Sequence, residues 1–144
     1  KYDSSVFPAK SPLYGLSSAP RRPYRVSCED VVKEDEDAVL WEFPLLVYSL
    51  AGVRVPVAGG FYLRFFPVGM IKRAVKKVNK QGFPAVLFVH NWELDCFMPK
   101  LKLGLYRSFV TYHNIEKTGE KLNSLLSDLE FTSVRDFMEE KGLT

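Results

Sequence analysis

Residues 84–95 read P-A-V-L-F-V-H-N-W-E-L-D, and the fold turns on how this stretch is read. Gly82 and Pro84 mark a turn. Ala85 to Val89 is a short, continuous apolar run with two valines and a phenylalanine. That pattern predicts a buried strand, covered on both faces. The run breaks off into His90, Asn91, Trp92, Glu93 and Asp95. In α/β folds, ligands and catalytic groups gather at the carboxyl ends of buried strands. This polar cluster is therefore the leading functional candidate. The plain alternative is a strand that surfaces into a polar loop.

Immediately upstream, Pro67 suits the first position of a helix. Val68, Ile71, Val75 and Val78 recur at helical spacing and form one apolar stripe. Lys72, Arg73, Lys76, Lys77 and Lys80 fill the opposite face, which reads as the wet side of a helix packed on a sheet. Gly82 stops it. A helix leading into a strand is the α-to-β half of an α/β unit. Further back, Ala38 to Val57 is rich in β-branched and aromatic residues and predicts two or three strands, with a hairpin turn at Ala51-Gly52. Pro44 and Pro56 limit the ladders. Gly59-Gly60 permits positive φ or close backbone approach by a ligand. The spacing of a phosphate loop is absent. Six carboxylates crowd Glu29 to Asp37, but without the alternation and glycine turn of a calcium loop. A charged, solvent-facing loop is expected there. Pro8 to Tyr24 reads as an irregular surface segment, and Lys1 to Phe7 as a short strand with a polar end.

Downstream, Cys96 to Val110 reads as a long loop over the strand end, a common place for substrate contacts. A helix follows over Lys117 to Leu129, with Leu122, Leu125, Leu126 and Leu129 as its core stripe. Ser133 then caps a last helix, in which Val134, Phe137 and Met138 face inward and Gly142 ends the turn. His113, in a Tyr-His-Asn turn, reads as structural.

At 144 residues the chain is read as one domain, 1–144, with an irregular segment over 1–37, strands and a helix over 38–95, and a loop with helices over 96–144. A net charge of +3 is too small to argue for nucleic acid. Cys28 and Cys96 give no metal spacing and no disulfide framework. The uncharged run Phe43 to Val53 is too short to span a bilayer. The start carries no secretory signal, so the default location is the cytoplasm. Because the first residue is Lys1 rather than Met, the chain is expected to be a cleaved product or a piece of something longer.

These residues together resemble the C-terminal half of bacterial and archaeal NodB-type polysaccharide deacetylases (carbohydrate esterase family 4), in the subgroup associated with exopolysaccharide export. The resemblance rests on Tyr2-Asp3-Ser4-Ser5 with Phe7-Pro8, Tyr14-Gly15 and Glu42-Phe43-Pro44. It continues through Pro56-Val57-Ala58-Gly59-Gly60 with Tyr62 and Arg64, then Asn79 and Gly82. It closes on His90-Asn91-Trp92-Glu93-Leu94-Asp95 and on the leucine-rich helix before Phe131-Thr132. One departure is Asn91, where that family usually has proline. The resemblance implies an α/β fold, the C-terminal half of a distorted (β/α) barrel, with a mixed sheet and about three helices. It implies hydrolysis of N-acetyl groups on an amino-sugar polysaccharide. His90 would be the general acid on the amine leaving group, and Asp3 would orient it. Trp92, Glu93, Asp95, Arg64, Gly59 and Gly60 would line the sugar cleft, though Trp92 could equally plug the barrel mouth.

In that family a divalent metal, with zinc the expected ion, is held by an Asp-Asp pair and a His-x-x-x-His motif in the N-terminal half. This sequence has two histidines, His90 and His113, and neither motif. No metal ligand and no cofactor is therefore assigned to this chain, and the complete fold would supply the metal. The partner would be the missing N-terminal half or a second copy, making a homo-oligomer. The alternative function is a non-catalytic carbohydrate-binding or assembly module.

Overall fold

The computed structural model describes residues 1–143. Three short strands, β1 (Tyr2–Asp3), β2 (Tyr24–Arg25) and β3 (Trp41–Glu42), form a sheet in the order β1-β3-β2. β1 runs parallel to β3, with Asp3 opposite Glu42, and β2 runs antiparallel on the other side. Pairing continues beyond the strands. Leu45 N–H donates to the Val6 carbonyl, and Leu46 N–H to the Val86 carbonyl, each at 2.9 Å. Leu45 and Val86 make an isolated parallel bridge. Residues 2–7, 41–46 and 84–89 thus lie side by side and run the same way. The middle segment is the most buried, through Phe43, Leu45 and Leu46.

The predicted hairpin is present. β4 (Val47–Leu50) pairs antiparallel with β5 (Val53–Pro56). Ala51 (φ 47°) and Gly52 (φ 80°) supply the two positive φ values that a tight two-residue turn needs. Helix α1 (Gly60–Phe65) follows, then α2 (Val68–Asn79), with Pro67 as its N-cap, one residue before the first helical position expected for it. Ile71, Ala74 and Val75 bury its apolar stripe, and the basic face points outward. Gly82, at φ 83°, closes α2. Its N–H donates to the Asn79 carbonyl and Phe83 N–H to that of Val78, the paired bonds of a left-handed helix stop. Helices α3 (Leu105–Tyr112), α4 (Thr118–Asp128) and α5 (Val134–Glu140) complete the chain. Ser133 caps α5 through Asp136 N–H at 3.1 Å. The core joins Phe7, Leu45, Leu46, Val57, Leu63, Ile71, Val75 and Leu125.

The architecture is mixed α/β with small sheets and no closed barrel among the described residues. Several expectations need correction. Ala85 to Val89 is not a strand covered on both faces. It is an extended, half-buried segment with one neighbour, 41–46. Its outer edge borders a groove of about 570 Å³ whose lining includes Phe43, Leu87, Phe131 and Phe137. Among the described residues, five α-helices replace the expected three. α1 arises inside an aromatic run, and α3 inside the stretch read as loop. Leu126 is 51% exposed, so the leucine stripe of α4 is narrower than its spacing predicted. Cys28 and Cys96, whose pairing the sequence leaves open, are both exposed free thiols.

Gly59 occupies φ 62°, ψ 166°, a backbone region that only glycine adopts readily. A Cβ placed there would lie 2.4 Å from the Phe88 ring. The close approach this glycine allows is therefore by Phe88, not by open solvent. Replacing it by alanine strains the backbone and displaces a packed ring. Gly59→Ala is expected to cost about 2–4 kcal/mol in chemical denaturation. Part of that loss should return when Phe88→Leu is added. An unchanged midpoint would show that the turn relaxes freely.

Candidate functional site

The polar cluster after Val89 begins with one turn of 3-10 helix over Asn91–Leu94. Glu93, three residues after His90, folds back so that its Oε2 accepts the His90 backbone N–H at 3.0 Å. Glu93 N–H donates to the His90 carbonyl, also at 3.0 Å. These reciprocal bonds fix the turn and satisfy donors that a helix start leaves free.

Glu93 is fully buried, and its other oxygen, Oε1, accepts from Arg64 Nε at 3.0 Å. Arg64 is 1% exposed and projects from α1. Its Nη1 donates to the carbonyls of Thr111 (3.0 Å) and His113 (2.8 Å), and its Nη2 to that of Val110 (3.1 Å). These are the carbonyls at the C-terminal end of α3, where a helix lacks internal partners. The guanidinium carbon lies 5.7 Å from the Trp92 ring centre. Lys121, from α4, donates to the carbonyls of Leu63, Arg64 and Phe66 at the end of α1. Burial, with Lys117 and Arg64 nearby, pushes its ammonium below the ordinary lysine value.

His90 itself is exposed. Its ring stacks on the half-buried Trp92 at 6.0 Å, with planes 13° apart, and meets the edge of Phe88 at 5.1 Å. Phe88 in turn covers Gly59 and Gly60, and Glu93 Oε1 comes within 3.9 Å of the Cβ position of Gly60. Tyr14 also approaches this corner. Its hydroxyl is pushed up to about 12, first by burial and then by Tyr62 and Glu93.

The structure brings His90, Trp92, Glu93, Arg64, Gly59 and Gly60 together, but with divided roles. Arg64 and Glu93 do not line an open cleft. Every hydrogen bond just described for them is made inside the protein. Their physical role follows from burial: a charged pair removed from water must satisfy its donors and acceptors internally. Asp95 is exposed and shapes the next turn, its Oδ1 accepting from Phe97 N–H at 2.9 Å.

Asp3 is not brought to His90. Its carboxylate accepts from the Ser5 hydroxyl at 2.8 Å. Asp3 pairs opposite Glu42, and Leu45 opposite Val86. This register puts Asp3 level with about Phe83, near the opposite end of segment 84–89 from His90. Glu42, beside Asp3, is buried and accepts from the N–H groups of Ser5 and Val6. Burial raises its carboxyl above the ordinary value despite those bonds.

Sequence reasoning missed Tyr14, Phe88 and the carbonyls of Val110, Thr111 and His113. Carbonyl groups carry no residue signature, but the i, i+4 pair Leu105 and Phe109 would have flagged α3. Among the described residues, no group of three or more His, Cys, Asp or Glu could hold a metal ion. Residues 4–139 match the family described as Domain of unknown function (DUF3473). No curated protein and no solved structure matches the chain.

Removing Arg64 would leave a buried carboxylate and three helix-end carbonyls without their donor. Arg64→Met is expected to destabilise by about 3–5 kcal/mol in thermal or urea unfolding. Arg64→Lys should recover little, because one ammonium cannot reproduce the forked geometry. A loss below about 1 kcal/mol for Arg64→Met would show that the pair is replaceable.

Proposed function

The chain belongs to the family described as Domain of unknown function (DUF3473), and on that premise we propose that it is the substrate-facing C-terminal part of a polysaccharide-deacetylase-like hydrolase. The substrate class is an amino-sugar polymer carrying N-acetyl groups. The observation that carries this reading is His90. It is exposed at the carboxyl end of the third parallel segment, stacked on Trp92, while its backbone is held by the buried Glu93. The ordered motifs from Tyr2-Asp3 to Phe131-Thr132 support it as a resemblance.

In this reading water adds to the acetyl carbon, passing a proton to a base that the rest of the hydrolase would supply, and the carbon–nitrogen bond breaks to leave acetate and a free amine. The His90 imidazolium gives its proton to the departing amine, and an imidazole is suited to that transfer near neutral pH. Trp92 offers an aromatic face to the sugar ring. Arg64 and Glu93 are positioning residues that set the His90 turn, and Asp3 is given no part in orienting the ring. The described residues do not form a site for the divalent metal of such hydrolases, so no step is assigned to one.

The fold reading belongs to the same proposal. The layer 2–7, 41–46, 84–89 is one part of a larger (β/α) barrel. In support, β1 and the segment 84–89 each have one neighbour among the described residues, and the groove beside 84–89 is large and partly apolar. A second reading keeps the face but not the chemistry: a carbohydrate-binding or assembly module. It is favoured by Arg64 and Glu93 turning inward, which leaves fewer polar groups for a substrate.

In a complete protein carrying these residues, His90→Ala should lower deacetylation turnover by about 10²–10⁴-fold. The melting temperature should stay unchanged, since the side chain is exposed. Full activity in that variant, with polymer binding intact, would favour the module.

Unpaired edges beside apolar surface invite association. The 144-residue chain is therefore expected to pair with a second copy in light scattering at micromolar concentration. Leu87→Lys, on the groove wall, should reduce that pairing. A chain that stays monomeric would argue that these residues are self-sufficient.

A further inference from the structure

Helix α3 is an amphipathic helix with no buried residue. Its attachment explains this. The Arg64 guanidinium grips it by the carbonyls of Val110, Thr111 and His113. Its side chains are left free to point elsewhere. Leu105 is 94% exposed, Tyr106 60% and Phe109 46%. At 100° per residue, these three share one side of the helix. The loop before it adds Phe97 at 93% and Leu101 at 69% exposure. Leu101 N–H donates to the Tyr112 hydroxyl at 2.8 Å, which ties that loop to the helix. Phe65 extends the surface, since both Phe65 and Phe109 pack on the His113 ring.

The charge on this stretch has one sign. From Cys96 to Tyr112 there are three cations, Lys100, Lys102 and Arg107, and no carboxylate. Asp95 and Glu116 flank it, and Asp95 is turned back onto the Phe97 N–H.

We propose that loop 96–104 and helix α3 form a docking face for an anionic lipid surface. Protruding apolar side chains framed by cations are what peripheral membrane segments present: the apolar groups enter the headgroup boundary and the cations meet acidic headgroups. Two features favour lipid over an anionic polysaccharide. Leucine and phenylalanine side chains exposed above nine-tenths gain most from a hydrocarbon layer. Aliphatic leucines also offer no ring face to a sugar. This places no segment across the bilayer: no described helix is long and apolar enough to cross one.

The test is flotation of the whole chain with phosphatidylcholine vesicles, with and without phosphatidylglycerol. Binding is expected only with phosphatidylglycerol, and it should weaken as salt rises. Phe97→Ser with Leu105→Ser should lower partitioning by at least about tenfold. Lys100→Glu with Lys102→Glu should do so by a similar factor. Both pairs of positions are solvent-facing, so circular dichroism should show an unchanged fold. Equal binding to neutral vesicles, no binding, or indifference to both variant pairs would overturn the proposal. So would a dimer in light scattering that the same serine substitutions dissolve, because the face would then belong to a second copy.

Discussion

A carboxylate and a guanidinium buried together are costly to remove from water, and the cost is offset only when their polar atoms find partners inside. Arg64 and Glu93 meet that condition. Glu93 accepts from Arg64 with one oxygen and from the His90 backbone with the other. Arg64 directs three of its other N–H donors to carbonyls at the end of α3. One pair therefore joins α1, α3 and the turn after Val89, three pieces that no sheet connects. Without it, the turn carrying His90 and the helix carrying the exposed leucine and aromatic face would both lose their anchor.

The same pair separates structural from solvent-facing duty within four consecutive residues. In His90-Asn91-Trp92-Glu93, the last side chain turns in and the first two turn out. Trp92 lies between, with His90 stacked on it and the Arg64 cation near its ring. This is how an exposed histidine can hold a defined orientation: its backbone is fixed by Glu93 and its ring rests on an aromatic plane. That arrangement makes it a better candidate for chemistry than His113, which is packed among Phe61, Phe65 and Phe109.

Much of the fold was legible where local signals agree. The Pro67 start, apolar stripe and Gly82 stop located α2, and Ala51-Gly52 located the hairpin. Ser133 and Gly142 likewise bounded α5. Two helices were hidden. α1 (Gly-Phe-Tyr-Leu-Arg-Phe) has the aromatic composition of a strand, and tertiary contacts override that preference. α3 left one local sign, the i, i+4 pair Leu105 and Phe109, whereas the arginine 47 residues away that holds it left none. The inward roles of Arg64 and Glu93 were equally hidden. Charged residues are almost never fully buried unless paired, and a sequence does not show that the pair will meet. The position of His90 after an apolar run was readable. Its separation from Asp3 was not, because it follows from the register of three distant segments.

The strands are short, of two or four residues. Ladders therefore satisfy few backbone groups, yet buried carbonyls still require donors. Long cations take over that work. Arg54 donates to the carbonyls of Pro8, Ser17 and Ala19 and so pins the irregular segment after β1. Arg64 does the same for the end of α3, and Lys121 for the end of α1. Each such bond is charge-assisted and stronger than a neutral one. One consequence concerns how the charge of +3 should be read. Cations committed to internal carbonyls contribute little to recognition at the surface. The field a partner meets comes from those left outside, among them the cations on the outer face of α2 and Lys100, Lys102 and Arg107. On α2 the cations stand over a buried apolar stripe, and Lys72 is paired with Asp128. At loop 96–104 and α3 they stand beside apolar side chains that remain in solvent, so charge and hydrophobic exposure coincide there.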